Sequence, residues 1–353
     1  MKKTILFSVL AAAVLSAACE RVPGTGIFSG PTGKLSAEII LDGIPATRAA
    51  DSGIDVLGSE ATVNKVDLFI FSASAGKDGS LARHFAGTTL TDPQWANVTL
   101  PVGSYDVYAV VNGLEDYSAV LKKSDLLGYD YDISLFNGRT ADFLMAGSTS
   151  ASVEISENET TSVSLVVSRL VARVVVRSVT DNLPAALPWT LEGMYLQNVP
   201  ALAGLDGAVR STKFYNPDAH VSANYAEHID VDITNADAPD VTAAPAPVAA
   251  LYSYQNTSAG KIGTYKDADV YGSLLQPVLT VYGIVGSFGR KYYNIPLNGS
   301  VDGGLLRNHT YDVRLTINNV GSDTPHDDLL EGVAGISVTA ADWEAGDSFN
   351  KEM

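Results

Sequence analysis

Alternation with a period of two residues dominates the chain. Leu35, Ala37, Ile39 and Leu41 alternate with Ser36, Glu38, Ile40 and Asp42, the pattern of a strand with one buried face. Val66, Leu68 and Ile70 repeat it around Asp67 and Phe69, and so does 105–112. The same signal predicts strands over 152–155, 161–167, 169–179, 190–196, 229–233, 277–285, 291–297, 309–317 and 335–341. Turn chemistry separates them at Asn112-Gly113, Asn137-Gly138, Asn298-Gly299 and Asp302-Gly303-Gly304. Only 80–85 and 124–127 read as helix. The expectation is an all-β chain of two β-sandwich domains packed in tandem, with few short helices. The division falls near Ser168, with no disordered linker to mark it. A Gly-, Pro- and Ser-rich stretch over 22–33 reads as a spacer, and the Ala/Pro-rich 236–250 as a surface loop of the second domain.

Length and composition fit this picture. At roughly 100 to 200 residues per domain, 353 residues make about two domains. Hydrophobic residues reach 46% and charged ones only 18%, so the chain folds around a core with a sparsely charged surface. With 23 Lys and Arg against 40 Asp and Glu, the net charge of −17 argues against nucleic acid or anionic lipid as partner, because phosphate recognition needs clustered cations. A single cysteine excludes a disulfide framework and every multi-cysteine metal site.

That cysteine stands in an informative place. Lys2 and Lys3 precede an apolar run from Ile5 to Leu15, then Ser16-Ala17-Ala18-Cys19. Residues 1–18 are an export signal, and the run is too short to cross a bilayer, which takes about 20 residues. Cys19 directly after the small residues resembles a bacterial lipobox, in which the thiol is acylated and becomes the new N-terminus. Leu15 lies one position early for that motif. The other reading is a chance cysteine at the end of a plain signal peptide.

Catalytic constellations are missing. The five histidines, at 84, 220, 228, 309 and 326, show no HExxH motif and no metal-ligand spacing on one element. Gly286-Ser287-Phe288-Gly289 is not a nucleophile elbow. Asp130 and Asp132 before Asn137-Gly138 suggest a calcium loop but lack the further ligands at fixed positions that such a loop needs, so they also read as solvated loop carboxylates. Trp95, Trp189 and Trp343 with Tyr252, Tyr254, Tyr292 and Tyr293 read either as a sugar-stacking platform or as core aromatics. Neither a catalytic residue nor a cofactor or metal is expected.

The order of the β motifs points further. The signal with Cys19, the strand 34–41 closing at Ile44-Pro45-Ala46-Thr47-Arg48-Ala49-Ala50, and Tyr105-Asp106-Val107-Tyr108-Ala109-Val110-Val111-Asn112-Gly113 resemble the N-terminal half of the fimbrillin family. These are the FimA-like stalk subunits of type V pili. Ser168-Arg169-Leu170-Val171-Ala172-Arg173-Val174, Arg307-Asn308-His309-Thr310-Tyr311-Asp312-Val313 and Ile336-Ser337-Val338-Thr339-Ala340-Ala341-Asp342-Trp343 resemble its second half.

The resemblance implies transthyretin-like, Greek-key sandwiches at 49–168 and 169–353, behind a lipidated propeptide at 19–48. It implies a precursor that travels as a palmitoylated lipoprotein to the outer membrane, is cut by a trypsin-like protease, and polymerises into an extracellular fimbrium by donor-strand exchange, supporting adhesion and biofilm formation. Carried over, the lipid sits on Cys19 and the scissile bond is Arg48-Ala49. Leu35, Ala37, Ile39 and Leu41 belong to a removable first strand, and Ile336, Val338 and Ala340 to a donor strand within about 332–345. Partners would be other copies of the chain and accessory pilus subunits, with no nucleic acid. Arg48 also reads as a plain surface-loop residue, and 336–340 as an ordinary intramolecular strand. The alternatives are a tip or anchor subunit of the same pilus, or a glycan-binding surface lipoprotein.

Overall fold

The computed structural model describes residues 20–21, 30–42, 62–73, 79–90, 95–136, 142–210, 214–215, 249–257, 277–297, 304–323 and 334–342. The first half carries β1 (Glu20–Arg21), β2 (Thr32–Leu41), β3 (Val66–Ser72), β4 (Ser80–Thr88), β5 (Val98–Pro101), β6 (Gly103–Val111), β7 (Asp130–Asp132), β8 (Met145–Ser148), β9 (Val153–Ile155) and β10 (Thr160–Arg169). All but β7 join one sheet in the order β1-β4-β3-β6-β8-β10-β2-β5, with β9 on β6.

This sheet folds over at β10. Residues 160–167 of β10 run parallel to 34–41 of β2, while Ser168 and Arg169 pair antiparallel with Ala146 and Met145 of β8. The corner depends on Gly147, where a Cβ would meet the Val166 carbonyl oxygen at 2.0 Å. Only a residue without a side chain lets the two strands come so close. The folded-over sheet encloses a core in which Leu35, Ile39, Leu100 and Leu165 pack with Val66, Leu68, Ile70 and Val107.

β3 is buried along its whole length rather than on alternate residues. Its second face, with Phe69 and Phe71, belongs to another core that includes Tyr117, Phe136 and Phe143 and continues into the second half through Val171, Val174 and Tyr254. Asp67 is tolerated on this two-sided strand because His84 Nε2 lies 3.0 Å from its Oδ1, and the His84 ring stacks on Phe69 at 4.1 Å. The stretch 80–85, expected as helix, is the strand β4 instead. It pairs antiparallel with both β1 and β3, and this long-range pairing outweighs its weak local preference. The expected helix at 124–127 forms, as α1 (Lys123–Leu127).

The second half carries β11 (Val171–Asp181), β12 (Trp189–Gln197), β13 (Val199–Pro200), β14 (Leu202–Gly204), β15 (Phe214–Tyr215), β16 (Ala249–Tyr254), β17 (Val278–Val285), β18 (Arg290–Pro296), β19 (His309–Ile317) and β20 (Ala334–Asp342). One sheet has the order β16-β11-β19-β20 and a second β12-β17-β18. Val174, Tyr311, Val313 and Leu315 of the first join Met194, Leu196, Val281 and Ile295 of the second in one core, making a β-sandwich.

β7, from the first half, pairs with β14 from the second. Around this small sheet the Ile133 amide donates to the Ala201 carbonyl at 2.9 Å and the Tyr254 hydroxyl to the Tyr131 carbonyl at 2.8 Å. Arg210 spans it, reaching Asp130 at 3.2 Å and Asp206 at 3.0 Å. The two halves therefore share backbone pairing as well as core.

Candidate functional site

The site of interest is the slot that β2 fills. This strand lies between two others, laddered in parallel with β10 over 34–41 and antiparallel with β5 over 32–35. Leu35 and Ile39 are buried and Ala37 and Leu41 half-buried, all packed on the first core, while Lys34, Glu38 and Ile40 are exposed. β2 is thus both a central strand of its sheet segment and one wall of a hydrophobic core.

Both ends of the strand are fastened. At the start, the Lys34 amide donates to the Glu159 carbonyl at 2.8 Å and the Asn158 amide to the Thr32 carbonyl at 2.9 Å, so the β9–β10 turn closes over Gly33. At the finish, the Asp42 amide donates to the Val167 carbonyl at 2.8 Å. The Asp42 carboxylate accepts from Ser168 Oγ at 2.8 Å and from Asn308 Nδ2 at 3.1 Å. Asn308 Oδ1 in turn accepts from the Arg169 amide and guanidinium, both at 3.3 Å. Asn308 holds a φ of 59°, a left-handed conformation that asparagine tolerates better than most residues.

The far wall, β5, does not depend on β2 alone. Tyr105 Oη donates to the Pro101 carbonyl at 2.9 Å and Arg83 Nη2 to the Thr99 carbonyl at 3.4 Å. Burial, only partly offset by the nearby Arg83 charge, raises the Tyr105 pKa, so the hydroxyl stays protonated and able to donate. Val98 and Leu100 of β5 are buried in the core beside Trp95. These contacts hold the wall in addition to its ladder with β2.

No protein-family model matches the sequence, and no curated protein does. Solved structures do match. A fimbrilin, FimA, from Porphyromonas gingivalis W83 superposes with a TM-score of 0.57 at 12% identity, over 87% of this chain and 96% of that one. The chain has the fimbrillin fold. A "putative cell adhesion protein" from Bacteroides eggerthii matches with a TM-score of 0.59 at 18% identity, over 89% and 97% of the two chains. Another so described, from Parabacteroides distasonis, gives 0.54 at 14%, over 88% and 99%.

Within the fimbrillin fold the other expected residues take these places. Cys19, Arg48 and Ala49 lie outside the described residues, although Glu20 and Arg21, next to Cys19, pair with Phe85 and His84 as β1. Ile336, Val338 and Ala340 lie on β20, opposite Leu315, Val313 and Tyr311 of β19. β20 is the last strand of its sheet, paired among the described residues with β19 alone. The spacer is shorter than 22–33, because Thr32 and Gly33 already belong to β2.

The described members of the aromatic set do not form a surface platform. Trp95, Trp189, Tyr252, Tyr254 and Tyr293 are buried, Tyr292 is half-buried, and Trp343 lies outside the described residues. Asp130 is engaged by Arg210, and Asp132 accepts from Tyr215 Oη at 2.5 Å and the Ser134 amide at 2.9 Å. Among the described residues no cluster of three potential metal ligands occurs.

Sequence reasoning missed Gly33, Ser168 and Asn308 as parts of this site. A glycine two residues before Leu35, on the inward phase of the alternation, was the available signal for a close backbone approach. Nothing in the pattern pointed to Asn308, whose importance arises from contact with residues more than 130 positions away.

Proposed function

We propose that the protein is a structural, non-enzymatic pilus subunit, exported as a lipoprotein precursor acylated on Cys19. A trypsin-like protease cuts it after Arg48, and it polymerises outside the cell by donor-strand exchange. The division near Ser168 separates a first domain that accepts a strand from a second that donates one. The observation that carries this reading is β2 itself. It fills a core wall, is paired on both sides, and ends at Leu41, seven residues before Arg48.

Loss of residues 1–48 would open that slot. At about 1.5 to 3 kcal/mol per fully buried large aliphatic side chain, Leu35 and Ile39 alone would leave roughly 3 to 6 kcal/mol of burial unmet. It would also bare the β10 and β5 backbones that face β2. Exposed strand edges template the addition of another strand. β20 is suited to supply it: it has the required alternation and, among the described residues, gives up a single ladder on leaving its own sheet. Because donor and acceptor surfaces differ, such joining propagates into a fibre rather than closing into a dimer.

Incubating the purified precursor with a trypsin-like protease tests this. SDS-resistant ladders are expected from the native chain, with Ala49 as the new N-terminus, and none from Arg48→Ala. A mature chain that keeps lipidated Cys19 and residues 19–48 would instead be an anchor subunit.

A further inference from the structure

We propose that the start of the slot is a glycine filter that fixes the register of the incoming strand, seating Gly332 of a second copy where Gly33 lies. This rests on the strand-exchange reading above and adds the residue-by-residue alignment that the reading leaves open.

The filter is steric. A Cβ at Gly33 would lie 2.1 Å from the Ser156 carbonyl oxygen, 2.8 Å from Ile155 Cγ2 and 3.2 Å from the Glu159 carbonyl oxygen. Two of these three atoms are backbone of the β9–β10 turn, and that turn is fastened to the strand on either side of Gly33 by the bonds from Lys34 and Asn158. Ile155 is itself buried in the core. None of the three can retreat cheaply. Any strand entering between β10 and β5 in the direction of β2 meets the same turn, and both flanking bonds are backbone bonds that it can reproduce whatever its sequence. What it cannot bring is a side chain at that position.

Alternation narrows the choice further. The inward positions of the slot are 33, 35, 37, 39 and 41, so a donor that turns Ile336 and Val338 inward must place an even-numbered residue at 33. The even-numbered residues from 330 to 340 are Leu330, Gly332, Ala334, Ile336, Val338 and Ala340. Gly332 alone lacks a side chain. In that register Ala334, Ile336, Val338 and Ala340 take the places of Leu35, Ala37, Ile39 and Leu41. Ile336 replaces an alanine that is only half-buried, leaving room toward solvent, and Val338 replaces the buried Ile39. A shift of two residues would put Ile336 at Leu35, a closer match in size. It would also press the Ala334 Cβ onto the Ser156 carbonyl and put Asp342 at Leu41, against the core.

Cysteine pairs in the full-length chain read the register after cleavage, which also removes the native Cys19. In the proposed alignment Ser337 takes the place of Glu38, the residue opposite Ser164 on β10. Ser164→Cys with Ser337→Cys should therefore link neighbouring subunits covalently in the fibre. Ser164→Cys with Thr339→Cys, two residues out, should not. The filter is read separately by Gly332→Ala, expected to slow fibre growth at least tenfold while leaving the melting temperature of the uncleaved precursor unchanged. Gly335→Ala, which falls at the outward Ser36 position, should assemble at the native rate.

Linkage through Thr339 in place of Ser337, or native growth of Gly332→Ala, would overturn the proposed register while exchange itself stood. Absence of ladders from the cleaved native chain would overturn the exchange reading and the register with it.

Discussion

The carboxylate of Asp42 accepts the hydroxyl of Ser168 at 2.8 Å, joining the end of β2 to the residue at which β10 leaves its parallel ladder for β8. Through Asn308 the same carboxylate reaches β19 and the second half of the chain. In Asp42→Ala both bonds are lost while the buried faces of β2 are untouched. Because Asp42 is exposed, the expected loss is about 1 kcal/mol, below the roughly 1.5 to 3 kcal/mol of a buried bond to a charged acceptor. Urea denaturation of the precursor should give a lower midpoint at unchanged slope. An unchanged midpoint would mean that solvent replaces both bonds at no cost.

The proposed cleavage after Arg48 would cut the chain but remove none of the contacts that hold β2. Two ladders, the turn over Gly33 and the Asp42 contacts all join residues before position 48 to residues well after it, and none of them involves Arg48 or Ala49. The segment before Arg48 should therefore stay bound to the cleaved subunit and co-elute with it in gel filtration, separating only in denaturant or when a donor strand displaces it. Immediate elution of the free peptide would show that the covalent link, rather than the slot, retains it.

Gly147 should tolerate no side chain. The 2.0 Å approach to the Val166 carbonyl involves backbone on both sides, so Gly147→Ala must pry β8 from β10 at the corner. A cost of about 2 kcal/mol or more is expected in thermal or chemical unfolding. Gly87→Ala supplies the control: its φ of 64° is strained for alanine, but nothing lies within 4 Å of its added Cβ, so about 1 kcal/mol is expected. Equal losses in the two variants would contradict the close-approach account.

Acid should weaken the first sheet through Asp106. Burial alone would raise its pKa, but hydrogen bonds from Lys123 Nζ at 2.8 Å and Ser152 Oγ at 2.6 Å, with the Lys123 charge, outweigh burial and hold it below its ordinary 3.8. A carboxyl depressed by folding contributes stability above its unfolded pKa and loses it as pH falls through the folded value. The stability difference between the native chain and Asp106→Asn should thus be constant well above the unfolded carboxyl value of 3.8 and shrink as pH falls through the depressed folded value. A difference independent of pH down to 2 would rule out ionisation as its source.

How far the sequence revealed this structure depends on which contacts set each element. β2 announces itself by alternation because it keeps one face toward a core, as do β6 over 105–109 and β19 over 313–317, and the all-β class follows from them. β3 breaks the rule, with Asp67 and Phe69 both buried, because its other face packs with Tyr117 and Tyr108 into a second core that continues into the second half of the chain. β4 reads as helix in the sequence because its partners β1 and β3 lie elsewhere along the chain, where a local pattern does not register them. At the slot, the inward residues of β2 were legible from period two. Gly33 reads as spacer in the sequence because the turn that crowds it comes more than 120 residues later.

The pairing of β7 with β14 bears on mechanics. A strand lent by each half to a common ladder, with Arg210 across it and a core running through both, leaves no hinge where the first half meets the second. Tension applied along such a subunit would have to shear β7 from β14 before the halves could part. In a fibre joined by strand exchange as proposed, give would therefore reside at the exchanged strands between neighbours, and each subunit would act as a stiff link in a chain whose compliance is set by its joints.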